Sequence, residues 1–335
     1  MDNKRLWAYV ATVVLVAAVL AGIRSGWKEA IRIGCLPESG TPPAGTWMDG
    51  CGSSGIGDYG IDVLWFDLDQ QAVASIRRAK VLLFGDSRIL TAASLGGASS
   101  WFAERHIPMN LLAFGAGEQS GFTDRLVARL HPHPDLVVFD ADPYFTGQES
   151  IPAQALTADP AGEEKWARQT QAFLDAGPVW CRYLGILCGR TARGYRRYLD
   201  GTVVHENEDR IWFNKNEYGS FPLTEPGPQD TSHYEEYLAN ARSMLAKLQV
   251  EPQCVVFTVV PNTEMDDTFA RFLAERLGAR VIAPRPPGLS TSDHYHLTAD
   301  SAQIWAAAFF RELEPVVRQC TGRLAQGAAS QASTR

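Results

Sequence analysis

Lys80-Val81-Leu82-Leu83-Phe84-Gly85-Asp86-Ser87-Arg88 holds two kinds of information in nine residues. Val81 to Phe84 is an unbroken apolar run, as expected of a parallel strand buried on both faces. Gly85 permits a tight turn, and Ile89 to Leu95 (ILTAASL) suits a helix. A serine at such a strand-to-helix turn projects its hydroxyl above the carboxyl edge of the sheet, where doubly wound α/β folds bind ligands. Its own N–H lies at the positive end of the helix and can donate to a developing oxyanion. Taken alone, Gly-Asp-Ser is a common tripeptide that reads more readily as the cap of a helix.

Outward from this segment the pattern repeats. Asn110–Phe114 (NLLAF), Asp135–Phe139 (DLVVF), Cys254–Val260 (CVVFTVV) and the shorter Arg280–Ala283 read as further strands. Asp69–Arg78, Phe122–Leu130 and Ala270–Leu277 read as helices, and Thr298 can cap a last one over Ala299–Leu313. Strands alternating with helices predict an α/β fold, with a mainly parallel five-stranded sheet covered on both faces. The gap between the third and fourth strands is too long for one crossover, so residues 144–250 hold an insertion. Helical stretches are expected there near Glu163–Leu174 and Tyr234–Leu248. Between them lie Trp180, Tyr183, Tyr195, Arg196, Arg197, Tyr198, Trp212 and Phe213. These suit sugar stacking and anionic polymers, or equally a helical subdomain with its rings in a core and its arginines solvated.

At the amino end, Leu6–Ile23 is an uncharged apolar run of 18 residues behind Lys4 and Arg5. It is apolar on every face and near the lower limit for a spanning helix. It is long for the apolar region of a cleaved signal peptide. An uncleaved signal anchor over residues 1–24 is therefore expected. A linker and extension over 25–75, the main α/β domain over 76–322 and a disordered Ala/Gly/Ser/Gln-rich tail over 323–335 complete the expected order. The six cysteines contain no Cys-x-x-Cys pair, which leaves zinc ribbons and thioredoxin-like motifs unsupported. Cys35 and Cys51 bracket a Pro/Gly-rich loop, Cys181 and Cys188 a short apolar one, and Cys254 and Cys320 remain. Beside the anchor, the even count favours three disulfides, Cys35–Cys51 among them, in an oxidising compartment. With a net charge of -7 and no Lys/Arg run, the composition argues against nucleic-acid binding.

Three further segments carry chemistry. Asp293-His294-Tyr295-His296 precedes the last helix. An acid and a His three residues apart can meet in a turn, so Asp293 can orient His296, which takes the proton of Ser87. His294 is the adjacent rival for the base. A two-histidine metal site lacks any further ligand cluster of suitable spacing, so no metal and no cofactor is expected. Gly115-Ala116-Gly117, after the second strand, can offer a second oxyanion donor. Asp140-Ala141-Asp142-Pro143 lies after the third strand.

Together, and in this order, these blocks resemble the SGNH/GDSL hydrolase family over about Val81–Leu313. The resemblance implies a flavodoxin-like three-layer α/β/α sandwich and a catalytic set of Ser87, Asp293 and His296. The Ser87 and Gly117 N–H groups would serve as oxyanion donors. Where the family carries an Asn, this chain has Asp142, or less well aligned Asp140. An ionised carboxylate cannot donate a hydrogen bond and opposes a nearby oxyanion. Arg88, Tyr144 and His294, beside these blocks, are assigned to substrate binding. The architecture is similar to that of membrane-tethered proteins of this type that modify cell-surface polymers, such as alginate O-acetylation proteins and the D-alanyl transfer protein of teichoic acids. That similarity implies a single-pass protein of the cell inner membrane with its catalytic domain in the periplasm. It would be a serine O-acyltransferase or esterase acting on O-acyl, chiefly O-acetyl, groups of a polysaccharide. A multi-spanning membrane acyltransferase would be its partner and acyl supply. The rival from another class is a catalytically weak carbohydrate-binding or scaffolding protein that keeps the fold.

Overall fold

The computed structural model describes residues 12–16, 45–52, 59–67, 69–115, 117–141, 144–158, 193–205, 220–264 and 266–332. In chain order, β1 (Thr46–Gly52), α1 (Tyr59–Trp65) and α2 (Gln70–Arg78) lead into β2 (Val81–Gly85). Next come α3 (Ser87–Leu95), α4 (Ala98–Glu104), β3 (Met109–Ala113), α5 (Ser120–Leu130), β4 (Leu136–Asp140) and α6 (Ile151–Ala158). β5 (Arg193–Tyr198), β6 (Val203–His205), β7 (Phe221–Pro222) and α7 (Tyr234–Leu248) precede β8 (Val255–Thr258). The chain ends with α8 (Thr268–Leu277), β9 (Arg280–Val281), β10 (Ser290–Thr291) and α9 (Ala299–Ala332).

The central sheet has five strands in the order β3-β2-β4-β8-β9, all parallel. Its residues alternate strictly between two apolar layers, as the two-residue period of a strand requires. Leu82, Phe84, Leu112, Val137, Phe139, Val255 and Phe257 face one core, formed with α2, α5, α7 and α8. Val81, Leu83, Leu111, Ala113, Leu136, Val138 and Val256 face the other, formed with α3, α4 and α9. Every residue of β2, β3 and β4 is buried, which explains their unbroken apolar runs. The expected doubly covered sheet is what forms. The helix leading into it is started by Asp69, whose carboxylate caps α2 by accepting from the Gln71 and Ala72 N–H groups.

Several expectations need correction. Tyr234–Leu248 is a helix, but α7 packs on the sheet as the crossover into β8 and is no part of a separate subdomain. The linker and extension expected over residues 25–75 contain a strand, β1. β1 pairs antiparallel with β5, and β5 with β6, in a three-stranded sheet. The insertion is thus partly β, and Tyr195–Tyr198 lie in a strand rather than a helical subdomain. Glu163–Leu174, Trp180, Tyr183, Trp212 and Phe213 lie outside the described residues.

The small sheet covers the open edge of β3. Leu111 N–H donates to the Asp200 carbonyl at 2.7 Å, and Asn110 Nδ2 donates to Leu199 O at 2.9 Å. Arg197 Nη1 donates to Ala113 O at 3.0 Å and to Gly201 O at 2.9 Å. An uncovered edge strand exposes unpaired backbone groups to other chains. The approach needs Gly201, at φ +83°, where a Cβ would sit 2.2 Å from Leu111 O. Arg197 is buried in this contact, so it does not serve as a solvated ligand for anionic polymers.

Among the described residues no helix is long and apolar enough to cross a membrane. Of the apolar run at the amino end, residues 12–16 are helical and exposed; the remainder lies outside the described residues. Cys254 and Cys320 form a disulfide that ties the foot of β8 to α9. Cys35, Cys181 and Cys188 lie outside the described residues, as does the side chain of Cys51. α9 runs on to Ala332, so helix occupies most of the tail expected to be disordered.

Candidate active site

Ser87 is the first residue of α3 and stands directly past the carboxyl end of β2. Gly85 makes the turn fit: a Cβ there would lie 2.5 Å from Ile89 Cγ2 and 2.9 Å from Asp140 Cβ. Asp86 caps the helix, accepting the Arg88 N–H at 2.8 Å. The Arg88 guanidinium folds back on the same carboxylate, with Nη2 at 2.6 Å from Oδ2. Both side chains are nearly buried, so the pair fixes the turn that presents Ser87. Arg88, expected to bind substrate, has its charge engaged here by Asp86. The Ser87 N–H belongs to the first turn of α3, where backbone donors have no intrahelical partner and point at whatever lies above.

The second half of the site is a closed loop at the far end of the chain. Ser292 N–H donates to His296 O at 2.8 Å, and Thr291 bridges Leu297. β10 below it pairs antiparallel with β7. Thr298 Oγ1 accepts from Ser301 N–H at 3.4 Å, starting α9 directly after the loop. Within the loop Asp293 Oδ1 accepts the N–H groups of Tyr295 at 3.0 Å and His296 at 2.8 Å. Its Oδ2 faces His296 Nδ1 at 2.7 Å. His296 Nε2 in turn lies 2.8 Å from Ser87 Oγ. Ser87 and His296, 209 residues apart in number, are thereby joined with Asp293 in one hydrogen-bonded chain.

The electrostatics favour an ionised Asp293. Burial alone raises its carboxyl. The hydrogen bond and charge of the His296 ring, with the His296 and Tyr295 N–H groups, outweigh burial and hold it below the ordinary carboxylate value. A carboxylate at Nδ1 places the ring proton there and leaves Nε2 as the acceptor facing Ser87, the arrangement a general base requires.

The other sequence-predicted residues separate clearly. Gly117, at φ +75°, lies in the turn past β3 on the same sheet edge as Ser87, and Gly85 and Ala113 are register partners. Asp142 lies outside the described residues. Asp140 is buried at the end of β4 and accepts the Val260 N–H at 3.2 Å. Tyr144 is fully buried, and its hydroxyl is hydrogen-bonded to Thr123. Burial pushes its phenol well above the ordinary range. Tyr144 is a core residue and not a substrate contact. His294 adopts φ +73° and is exposed, its ring packed on that of Phe221 at 4.1 Å, whereas it is the His296 ring that meets Ser87. Of the two histidines it is His296 that is hydrogen-bonded to both Ser87 and Asp293.

Sequence reasoning missed Phe221, Thr263 and Glu264. Thr263 donates through its N–H and Oγ to His294 O at 3.4 and 3.1 Å. Glu264 Oε1 accepts the Tyr295 hydroxyl at 3.0 Å. No local signal marks them, because each meets the loop only through the fold. An open groove of about 530 Å³ lies elsewhere, lined by residues including Ser120, Asp124, Glu149 and Asn240, and it contains none of the three catalytic candidates. No three or more His, Cys, Asp or Glu among the described residues are grouped to hold a metal ion.

Comparison with known proteins adds no identity to this geometry. No protein-family model matches the chain, and no curated protein or solved structure matches it either.

Proposed function

We propose that this chain is a serine acyltransferase or acylesterase of the SGNH/GDSL type, working through an acyl-serine intermediate. The observation that carries the reading is the relay Ser87 Oγ–His296 Nε2 at 2.8 Å and His296 Nδ1–Asp293 Oδ2 at 2.7 Å. The strand order β3-β2-β4-β8-β9, with Ser87 at a strand end, supports the flavodoxin-like arrangement of that family.

In the first half-reaction Ser87 Oγ attacks the acyl carbonyl carbon while its proton passes to His296 Nε2. The carbonyl electrons move onto oxygen, and the oxyanion is held by the Ser87 N–H and the Gly117 N–H. Asp293 stabilises the imidazolium without taking its proton. Collapse expels the alcohol, which leaves with the proton from His296. In the second half an acceptor hydroxyl, from a sugar or from water, gives its proton to His296 and attacks the acyl-serine. Ser87 then departs and recovers the proton. Acceptor identity alone separates transferase from hydrolase.

The setting belongs to the same proposal. Leu6–Ile23 anchors the chain in the inner membrane, and the catalytic domain lies outside the cytoplasm. The Cys254–Cys320 disulfide suits that oxidising side. The substrate is an O-acyl, chiefly O-acetyl, polysaccharide, and a multi-spanning membrane acyltransferase supplies the acyl group.

Turnover of p-nitrophenyl acetate by the full-length chain tests the chemistry. Ser87→Ala and His296→Ala should each lower kcat by roughly a thousandfold or more, and the double variant should be little worse than either, because the two act as a unit. Unchanged turnover in Ser87→Ala refutes the reading.

A further inference from the structure

Two exposed aromatic side chains stand out among the described residues, Phe221 at 36 % and Tyr295 at 45 % exposure. Scattered surface apolar groups need no explanation, but these two belong to one feature. Phe221 lies in β7, in register with Thr291 of β10, two residues before Asp293. Its ring packs on that of His294 at 4.1 Å, tilted by 33°. Tyr295 is the next residue, and its hydroxyl donates to Glu264. The rings of His294 and Tyr295 thus stand on the loop that carries both Asp293 and His296, and Phe221 packs against it.

The backbone under this rim is held in a costly conformation. A non-glycine residue in the left-handed region, such as His294 at φ +73°, is retained only where its surroundings enforce it, and such positions gather at functional sites. Here the enforcement comes from the two hydrogen bonds of Thr263 to His294 O and from Asp293 Oδ1, which accepts from Tyr295 and His296. Arg285 Nη2 donates to Thr224 O at 2.8 Å and to Asn262 O at 3.3 Å, so the segment after β7 is tied to the one bearing Thr263 and Glu264.

We infer that this rim is the acceptor subsite and that it takes a neutral sugar ring. The inference rests on the acyl-serine reading and names its substrate class. The apolar C–H face of a pyranose packs on the paired rings of Phe221 and His294. Its hydroxyls meet a donor-acceptor group, the Tyr295 phenol, and an acceptor, the Glu264 carboxylate. The Arg285 guanidinium is engaged on the Thr224 and Asn262 carbonyls, and against this cation the carboxylates of Glu264 and Asp293 at the rim oppose an anionic uronate ring. The selectivity runs toward uncharged polysaccharide.

Isothermal titration of the full-length chain with cellohexaose and chitohexaose tests this, with hexagalacturonate as the charged probe. Saturable binding of at least one neutral hexamer is expected, and hexagalacturonate should bind more weakly. Phe221→Ala should weaken neutral binding by about tenfold, the size of one lost ring contact. Phe221→Tyr should restore it, and His294→Ala should weaken it less. The inference is overturned if no hexamer binds, if Phe221→Ala binds as the unaltered chain does, or if the uronate binds tighter. The probes carry no ester at the reacting carbonyl, so the assay is independent of acylation of Ser87. Lost binding with intact acylation removes the subsite alone, and intact binding without acylation removes the acyl-serine reading.

Discussion

Asp293→Asn separates a catalytic relay from a merely structural turn. Asp293 accepts three hydrogen bonds, two from backbone N–H groups through Oδ1 and one at His296 Nδ1 through Oδ2. An asparagine can keep its oxygen toward the two backbone donors or toward the ring. Each such bond contributes about 1 kcal/mol, so two outweigh one and the amide nitrogen faces Nδ1. A donor there makes Nδ1 the acceptor and moves the ring proton to Nε2, which then points a proton at Ser87 Oγ across 2.8 Å. The loop keeps its shape, but the base cannot accept. The expected loss in kcat is about four orders of magnitude, the effect of the wrong tautomer in a serine triad, or about 5.4 kcal/mol of barrier. Steady-state hydrolysis of p-nitrophenyl acetate, with circular dichroism as the fold control, reads it. A folded Asp293→Asn chain that keeps a tenth of the activity refutes the reasoning. Stability gives a second readout. The folded carboxyl lies below its ordinary value, so Asp293 adds stability above the unfolded carboxylate range. That contribution disappears as pH falls through the lower folded value. The asparagine variant should lack that part of the acid destabilisation.

The fold sets three further outcomes. Reduction of Cys254–Cys320, which closes a separation of 66 residues, should remove about 4 kcal/mol by the loop-entropy estimate; a thermal melt with and without reductant should show a fall of roughly 6–8 °C. Gly85→Ala drives a methyl to 2.5 Å from Ile89 Cγ2 and 2.9 Å from Asp140 Cβ. It should destabilise urea unfolding by about 1–3 kcal/mol and lower turnover more than stability, because the displaced turn carries Ser87. Glu118 is buried; burial raises its carboxyl and outweighs its two hydrogen bonds from Ser150. A raised folded value gives stability below the unfolded carboxylate range that is lost as pH rises through the folded value. Glu118→Gln, whose amide oxygen can still accept from Ser150, should therefore be at least as stable as the unaltered chain above neutral pH and lack that decline, as urea unfolding across pH will show.

What the sequence made legible was local. The buried strands declared themselves as apolar runs, because both faces of the sheet are covered. Ser87 at a strand end and the Asp293–His296 spacing are short-range patterns whose geometry is set by one turn each. The three-stranded sheet escaped notice because β1 sits in a Gly/Pro-rich stretch and pairs with β5 nearly 150 residues on. Antiparallel pairing at such a distance leaves no local period. Arg197 reads as a surface charge until its guanidinium is seen on Ala113 O and Gly201 O. Tyr144 stands beside a motif in sequence, yet its ring turns into the core rather than over the sheet edge. Phe221 meets His294 only because β7 and β10 pair. No reading of either segment alone reveals that contact.

Intact-mass spectrometry of the full-length chain after exposure to an activated acetyl ester and an acid quench tests the central claim most directly. One added acetyl group is expected, localised by peptide mapping to Ser87, absent in Ser87→Ala and formed far more slowly in His296→Ala. An unmodified chain, or an acetyl group that persists when Ser87 is replaced, would contradict it.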